Sequence, residues 1–179
     1  LGLGAAAAAL MVSASGLGSS VAMWPMGWLS ARLVRRHQDH AHGAAHARWL
    51  LLRACALITL LATLCLPAVA HLPALAWCLC FAWGAAGGSL YTLAMIDIGS
   101  QHRGVALENA TAVLVLSYTV GGMLAPSLGS AALQASPQWG FAGLLSGVAA
   151  LACLALWRWG APAETVREAP ISPHDHPTP

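Results

Sequence analysis

Five apolar runs, most of them at or above the roughly 20 residues that a helix needs to cross a bilayer, leave this chain few ways to fold. They lie at about 4–29, 49–69, 75–98, 105–133 and 141–159. Hydrocarbon offers the backbone no hydrogen-bond partner, so a spanning segment is either a helix or a strand of a closed barrel. Runs this continuous, rich in Ala and Leu and without alternation, exclude barrel strands. The expected fold class is all-α, a polytopic helical membrane protein with five transmembrane helices. Composition agrees, with 58% hydrophobic and 8% charged residues, where soluble domains carry about a quarter charged residues.

The arginines test that count of spans. The first run ends at Trp24, Pro25 and Trp28 and is followed by Arg32, Arg35 and Arg36, the pattern of a membrane exit with interfacial indoles and retained cations. Arg48 and Arg53 flank the start of the second run, Arg103 lies between the third and fourth, and Arg158 and Arg167 follow the fifth. These are all of the basic residues apart from histidine. The connections around His71 to Pro73 and around Gln134 to Gly140 have none. Five crossings, with the first residue outside and the tail inside, put every arginine on the cytoplasmic side. Pro67, Pro73 and Pro137 mark the outer turns. Residues 160–179, rich in Pro, His and acid, read as a disordered cytoplasmic tail. The chain opens on Leu1 and is apolar at once, with no signal-peptide pattern, which suggests a start inside a larger protein. Arginines confined to span ends give no nucleic-acid-binding stripe, so the expected partners are the lipid bilayer and a small-molecule solute, with no nucleic acid.

Within the spans, small residues recur at four-residue steps: Gly84 and Gly88; Gly121, Ala125 and Gly129; Gly143 and Gly147. Each set makes a smooth stripe where a neighbouring helix can come close, as ordinary membrane bundles also do. Cys55, Cys65, Cys78, Cys80 and Cys153 all lie in apolar runs and read as small helix residues. Cys78 and Cys80 are two apart and point to different helix faces, a poor metal or redox pair. His37, His40, His42 and His46, with His174 and His176 in the tail, make either a solvated, weakly basic surface or a Zn2+-sensing one; their spacing matches no closed site. No metal site and no cofactor are expected.

Two motifs carry a family likeness. Gly27-x-Leu29-Ser30-x-Arg32-x-x-Arg35-Arg36 resembles the loop signature of the major facilitator superfamily, G-x-L-(A/S)-D-R-x-G-R-(R/K), with Ala31 in place of aspartate and Val34 in place of glycine. Tyr118-x-x-Gly121-Gly122-x-x-Ala125-Pro126-x-x-Gly129 resembles the Gly/Pro-rich fifth or eleventh helix of that family. Leu90-Tyr91-Thr92-Leu93-Ala94 followed by Asn109 is similar to its YcaD-like branch. The likeness runs over 4–159. The loss of the signature aspartate, a third span without a membrane arginine and a polar tail resemble the C-terminal half, helices eight to twelve of twelve. The chain would then form most of one six-helix half-bundle, and its chief partner would be the missing N-terminal half of the same transporter.

That resemblance implies solute transport by alternating access, in which two bundles rock about a midplane site, and a bacterial inner membrane as the location. It implies a cytoplasmic latch made by Gly27, Ser30, Arg32, Arg35 and Arg36. With aspartate gone, Asp97 or Glu108 would supply the carboxylate; the alternative is that these arginines are solvated topology anchors. Pro126 removes a backbone hydrogen bond within its span and either hinges or fixes a bend there, beside Gly121, Gly122 and Gly129. Candidate substrate contacts are Tyr91, Thr92, Asn109, Thr111 and Tyr118, with Tyr118 foremost because it joins an aromatic wall to a hydroxyl. An interhelical hydrogen bond is the competing role for it. No carboxylate or arginine lies at the centre of a span, so an ion-coupling group would belong to the absent half, or the protein is a facilitator. A membrane-embedded enzyme would need a G-x-S-x-G or H-E-x-x-H site, and neither occurs. A non-transporting scaffold is the other rival.

Overall fold

The computed structural model describes residues 5–36, 43–69, 71–136 and 139–158. Among them are five helices and no strand: α1 (Ala5–Arg36), α2 (Gly43–Val69), α3 (Pro73–Gln101), α4 (Gly104–Ala135) and α5 (Gly140–Arg158). Every one of the five apolar runs is a helix. The tail, with His174 and His176, and the loop histidines His37, His40 and His42 lie outside the described residues.

The helices outrun the apolar segments at several ends. α1 passes through Pro25 without a break and continues to Arg36, so most of the stretch after Trp28 is helix. Cations in a last turn favour this extension, because Arg35 and Arg36 meet the negative end of the helix dipole. α2 likewise runs through Pro67, and α4 through Pro126. Pro73 instead opens α3 at its first position, where the missing N–H is one that no helix bond would use. The α3–α4 connection is two residues long and closes on Gly104 at φ +55°, a left-handed conformation that favours glycine. At the α4–α5 turn the Trp139 N–H donates to Ser136 Oγ at 3.3 Å, and the backbone of Gly140 lies so close to the Ala132 carbonyl that a Cβ there would overlap it.

α2, α3, α4 and α5 are long and apolar enough to span a membrane; α1 is not among them. Its 32 residues extend about 48 Å, ample for a crossing. Ser13, Ser15, Gly16, Gly18, Ser19 and Ser20 dilute its hydropathy, and of these Ser15, Gly18 and Ser19 form the surface that packs. α1 runs parallel to α3 with backbone against backbone: a Cβ added at Gly18 would meet the Phe81 carbonyl, one at Gly84 the Ser15 carbonyl, and one at Gly88 the Ser19 side chain and Cα. Membrane helices gain mainly from such close packing, since lipid tails are as apolar as leucine. The hydroxyls cause no penalty, because Ser15 and Ser89 return theirs to the carbonyls of Val12 and Ala85 at 2.8 and 2.7 Å.

Leu52, Cys55 and Leu93 form the buried core, with Met26, Trp49, Leu51, Leu90 and Leu156 packed around it. The core therefore joins α1, α2, α3 and α5 near their arginine-bearing ends. α4 stands apart. Only 6% of its most apolar stretch is buried, against 28% for α2 and for α3, and Gly129 is its one buried residue.

Candidate functional site

Two places in this bundle gather chemistry-bearing side chains: the middle of the α3–α4 wall and the arginine-rich end.

In the wall, Tyr91 of α3 and Tyr118 of α4 are brought together, their ring centroids 5.3 Å apart and tilted by 53°. Tyr91 lies ten residues, about 15 Å, before the end of α3, and Tyr118 about 21 Å from the start of α4, so the pair sits deep along both helices. Separations of this kind suit an edge-to-face aromatic contact. Tyr118 remains 69% exposed, so the pair presents aromatic surface outward from the chain. Thr92, beside it, donates its hydroxyl to the Gly88 carbonyl at 3.1 Å and keeps its lone pairs free to accept. Thr111 lies two turns before Tyr118 on α4, half-buried, and Asn109 is exposed two residues before it. Gly121 and Gly122 have nothing within 4 Å of a built Cβ among the described residues, so no described helix packs closely on them. Gly129, lower on the same helix, lies 3.3 Å from the Phe141 ring by the same measure. The structure thus gathers Tyr91 and Tyr118, sets Thr92 one turn beyond Gly88 on the stripe that meets α1, and leaves Asn109, Gly121 and Gly122 exposed on α4.

At the arginine-rich end, Asp97 faces Arg48 across the α2–α3 contact, with Nε to Oδ1 at 3.4 Å. Gln101 donates to the other carboxylate oxygen at 2.7 Å. The partners expected for Asp97 were Arg32, Arg35 or Arg36, and the observed one differs for a structural reason. Helical continuation carries those three arginines along α1 beyond the core, and Arg32 stacks on Trp28 of its own helix, 4.9 Å from the ring centre. Arg48, at the start of α2, lies beside the end of α3 instead. Glu108 is exposed on α4 and forms no ion pair among the described residues.

Near that pair the polar inventory is incomplete. Ser30 is 1% exposed, and its hydroxyl has no partner among the described residues; Arg48 Nε and Trp49 Nε1 are likewise buried without a hydrogen bond. Ser30 lies one turn beyond Met26, Asp97 one turn beyond Leu93, and Arg48 one turn before Leu52, so the three helices bring them to the same edge of the core. Gly27, one turn before Ala31, has open space around a built Cβ.

Sequence reasoning did not single out Arg48 as an ion-pair partner or Arg53 as an interhelical donor. The signal available was their position: two cations at the start of an apolar helix, spaced five apart so that they point to different neighbours. Among the described residues no three His, Cys, Asp or Glu side chains are grouped as metal ligands would be.

A membrane-embedded helical bundle with one tightly packed wall, one open wall and a charged end defines a polytopic integral membrane protein. The sequence model of the Major Facilitator Superfamily matches residues 1–178, and the chain belongs to that family, a family of membrane transporters. Searches against curated proteins and against solved structures found no match.

Proposed function

We propose that this chain is the C-terminal part, helices eight to twelve, of a twelve-helix secondary transporter of the YcaD-like branch, and that it moves a small solute by alternating access across a bacterial inner membrane with its C-terminus in the cytoplasm. The observation that carries this reading is the Tyr91–Tyr118 pair on a helix left mostly uncovered. An aromatic pair with hydroxyls, its Tyr118 ring exposed, and a smooth glycine stripe one turn on suit a wall along which a polar solute passes. Asn109 and Thr111 extend that wall toward the arginine-rich end. The second six-helix bundle of the same protein would face it from across the path.

Gating follows from the charged end. The Arg48–Asp97 pair holds α2 to α3 there, so the pair replaces the aspartate that Ala31 lacks, and Ser30 packs behind it at the α1 edge. Arg32, Arg35, Arg36 and Glu108 are then free to engage the opposite bundle when the cytoplasmic side closes. The exposure of α4 also suits a membrane scaffold that docks another protein on this helix. Flux measurements separate the two. In cells expressing the full-length protein, Tyr118→Ala and Tyr91→Ala each reduce flux of its solute by about tenfold, the loss of about 1.4 kcal/mol of binding, with surface expression unchanged. Undiminished flux in both variants removes the site, and a chain that carries no solute in a broad uptake and export screen favours the scaffold.

A further inference from the structure

Arg53 is the one cation set well inside a described span, a turn deeper than Trp49. Its Nε and one terminal nitrogen donate to the Leu156 carbonyl of α5 at 3.2 and 3.1 Å. That oxygen is among the last four of α5, which have no donor within their own helix. The guanidinium therefore caps α5 and ties its end to the start of α2. Its carbon also lies 5.8 Å from the Trp49 ring centre and 5.5 Å from that of Trp157, so the cation sits between two indoles.

The capping bond uses two of the five N–H groups of the guanidinium. No carboxylate lies within ion-pair distance of Arg53 among the described residues, and Asp97 is taken by Arg48. Arg158 follows two residues after Leu156, at the end of the helix. The outer surface of both helices beside this point is apolar, with Leu50 and Leu57 on α2 and Leu154 and Trp157 on α5 all exposed. A cation with spare donors, close to two indoles and flanked by exposed leucines on both helices, calls for an anion that carries acyl chains.

We propose that the outer face of the α2–α5 pair binds the phosphate of an anionic phospholipid, with Arg53 and Arg158 as its cationic contacts and the flanking leucines against its tails. A lipid is favoured over free phosphate because exposed leucines on both helices flank the charge. The proposal does not depend on the transport reading.

The test is native mass spectrometry of the full chain released from micelles containing equal phosphatidylglycerol and phosphatidylcholine. Phosphatidylglycerol should be retained preferentially, and Arg53→Gln should reduce that preference by about fivefold, the worth of one cation near an anionic surface. Arg53→Lys, which keeps the charge but gives up the forked capping bond, should keep most of the preference, with helicity by circular dichroism as the folding control. Should Arg53→Gln fail to fold, Arg158→Gln, away from the cap, should still lower the preference. Equal retention of the two lipids, an unchanged preference in both glutamine variants, or complete loss in a folded Arg53→Lys overturns the proposal. So does displacement of the lipid by excess inorganic phosphate, which would mark a plain anion site.

Discussion

α3 is packed in opposite ways on its two sides. Toward α1 it presents Gly84 and Gly88, with no room for a Cβ against Ser15 and Ser19. Toward α4 it presents Tyr91, whose ring meets that of Tyr118. α4 has its own glycine stripe, yet Gly121 and Gly122 look onto open space. The same sequence device, small residues four apart, thus makes a permanent seam in one place and an uncovered surface in the other. What separates them is the facing helix: α1 offers a matching row of Gly and Ser, whereas no described helix offers one to Gly121 and Gly122 of α4. A permanent seam builds the bundle, and an uncovered stripe leaves a helix available to a partner that comes and goes.

The largest effect should come from filling the seam. Gly84→Val places side-chain carbons where the Ser15 backbone stands, so α1 and α3 must separate. The expected loss is about 3 kcal/mol, the upper part of the usual overpacking range, seen as a sharply lower melting temperature or yield in detergent. If the variant is as stable as the parent, the seam is not as close as described. Next in size is Asp97→Asn, which leaves Arg48 without its counter-charge in a half-buried setting. A loss of about 1–3 kcal/mol is expected by thermal melting. Arg48→Gln should be no worse than this in combination, because the two residues act as one pair.

Changes on the open side should scarcely register in stability. Gly121→Val is expected to stay within about 0.5 kcal/mol of the parent when the isolated chain is melted, while impairing flux in the full-length protein. An isolated-chain loss as large as that of Gly84→Val would show that the stripe is packed within this chain. Tyr118→Phe should have the smallest effect of all on stability, since the ring contact with Tyr91 survives; a change confined to solute affinity would assign the hydroxyl to the solute.

Much of this arrangement could be read from the sequence. Apolar length alone gave the five helices, because a backbone in hydrocarbon has few alternatives. The ion pair was not legible. The signature drew attention to Arg32, Arg35 and Arg36, but a helix that passes through Pro25 and ends only at Arg36 carries them away from Asp97, and sequence pattern does not show that Pro25 is tolerated. Nor was the partner of Gly84 and Gly88 legible, since Gly18 and the serines of α1 show as a seam only once α1 is laid parallel to α3. Of the candidate solute contacts, Tyr91 and Tyr118 come together because each lies near the middle of its helix across a two-residue turn. Asn109 occupies a face for which the described residues supply no opposite wall, whereas Thr111, two turns before Tyr118, is half-buried on the face that meets α3.

The central claim is that the uncovered face of α4 borders water and not lipid. The direct measurement is labelling of Tyr118→Cys, in a full-length protein whose native cysteines have been replaced, with a water-soluble maleimide and separately with a lipid-phase reagent. The account predicts reaction with the water-soluble reagent and protection by the transported solute. Reaction with the lipid-phase reagent alone would contradict it.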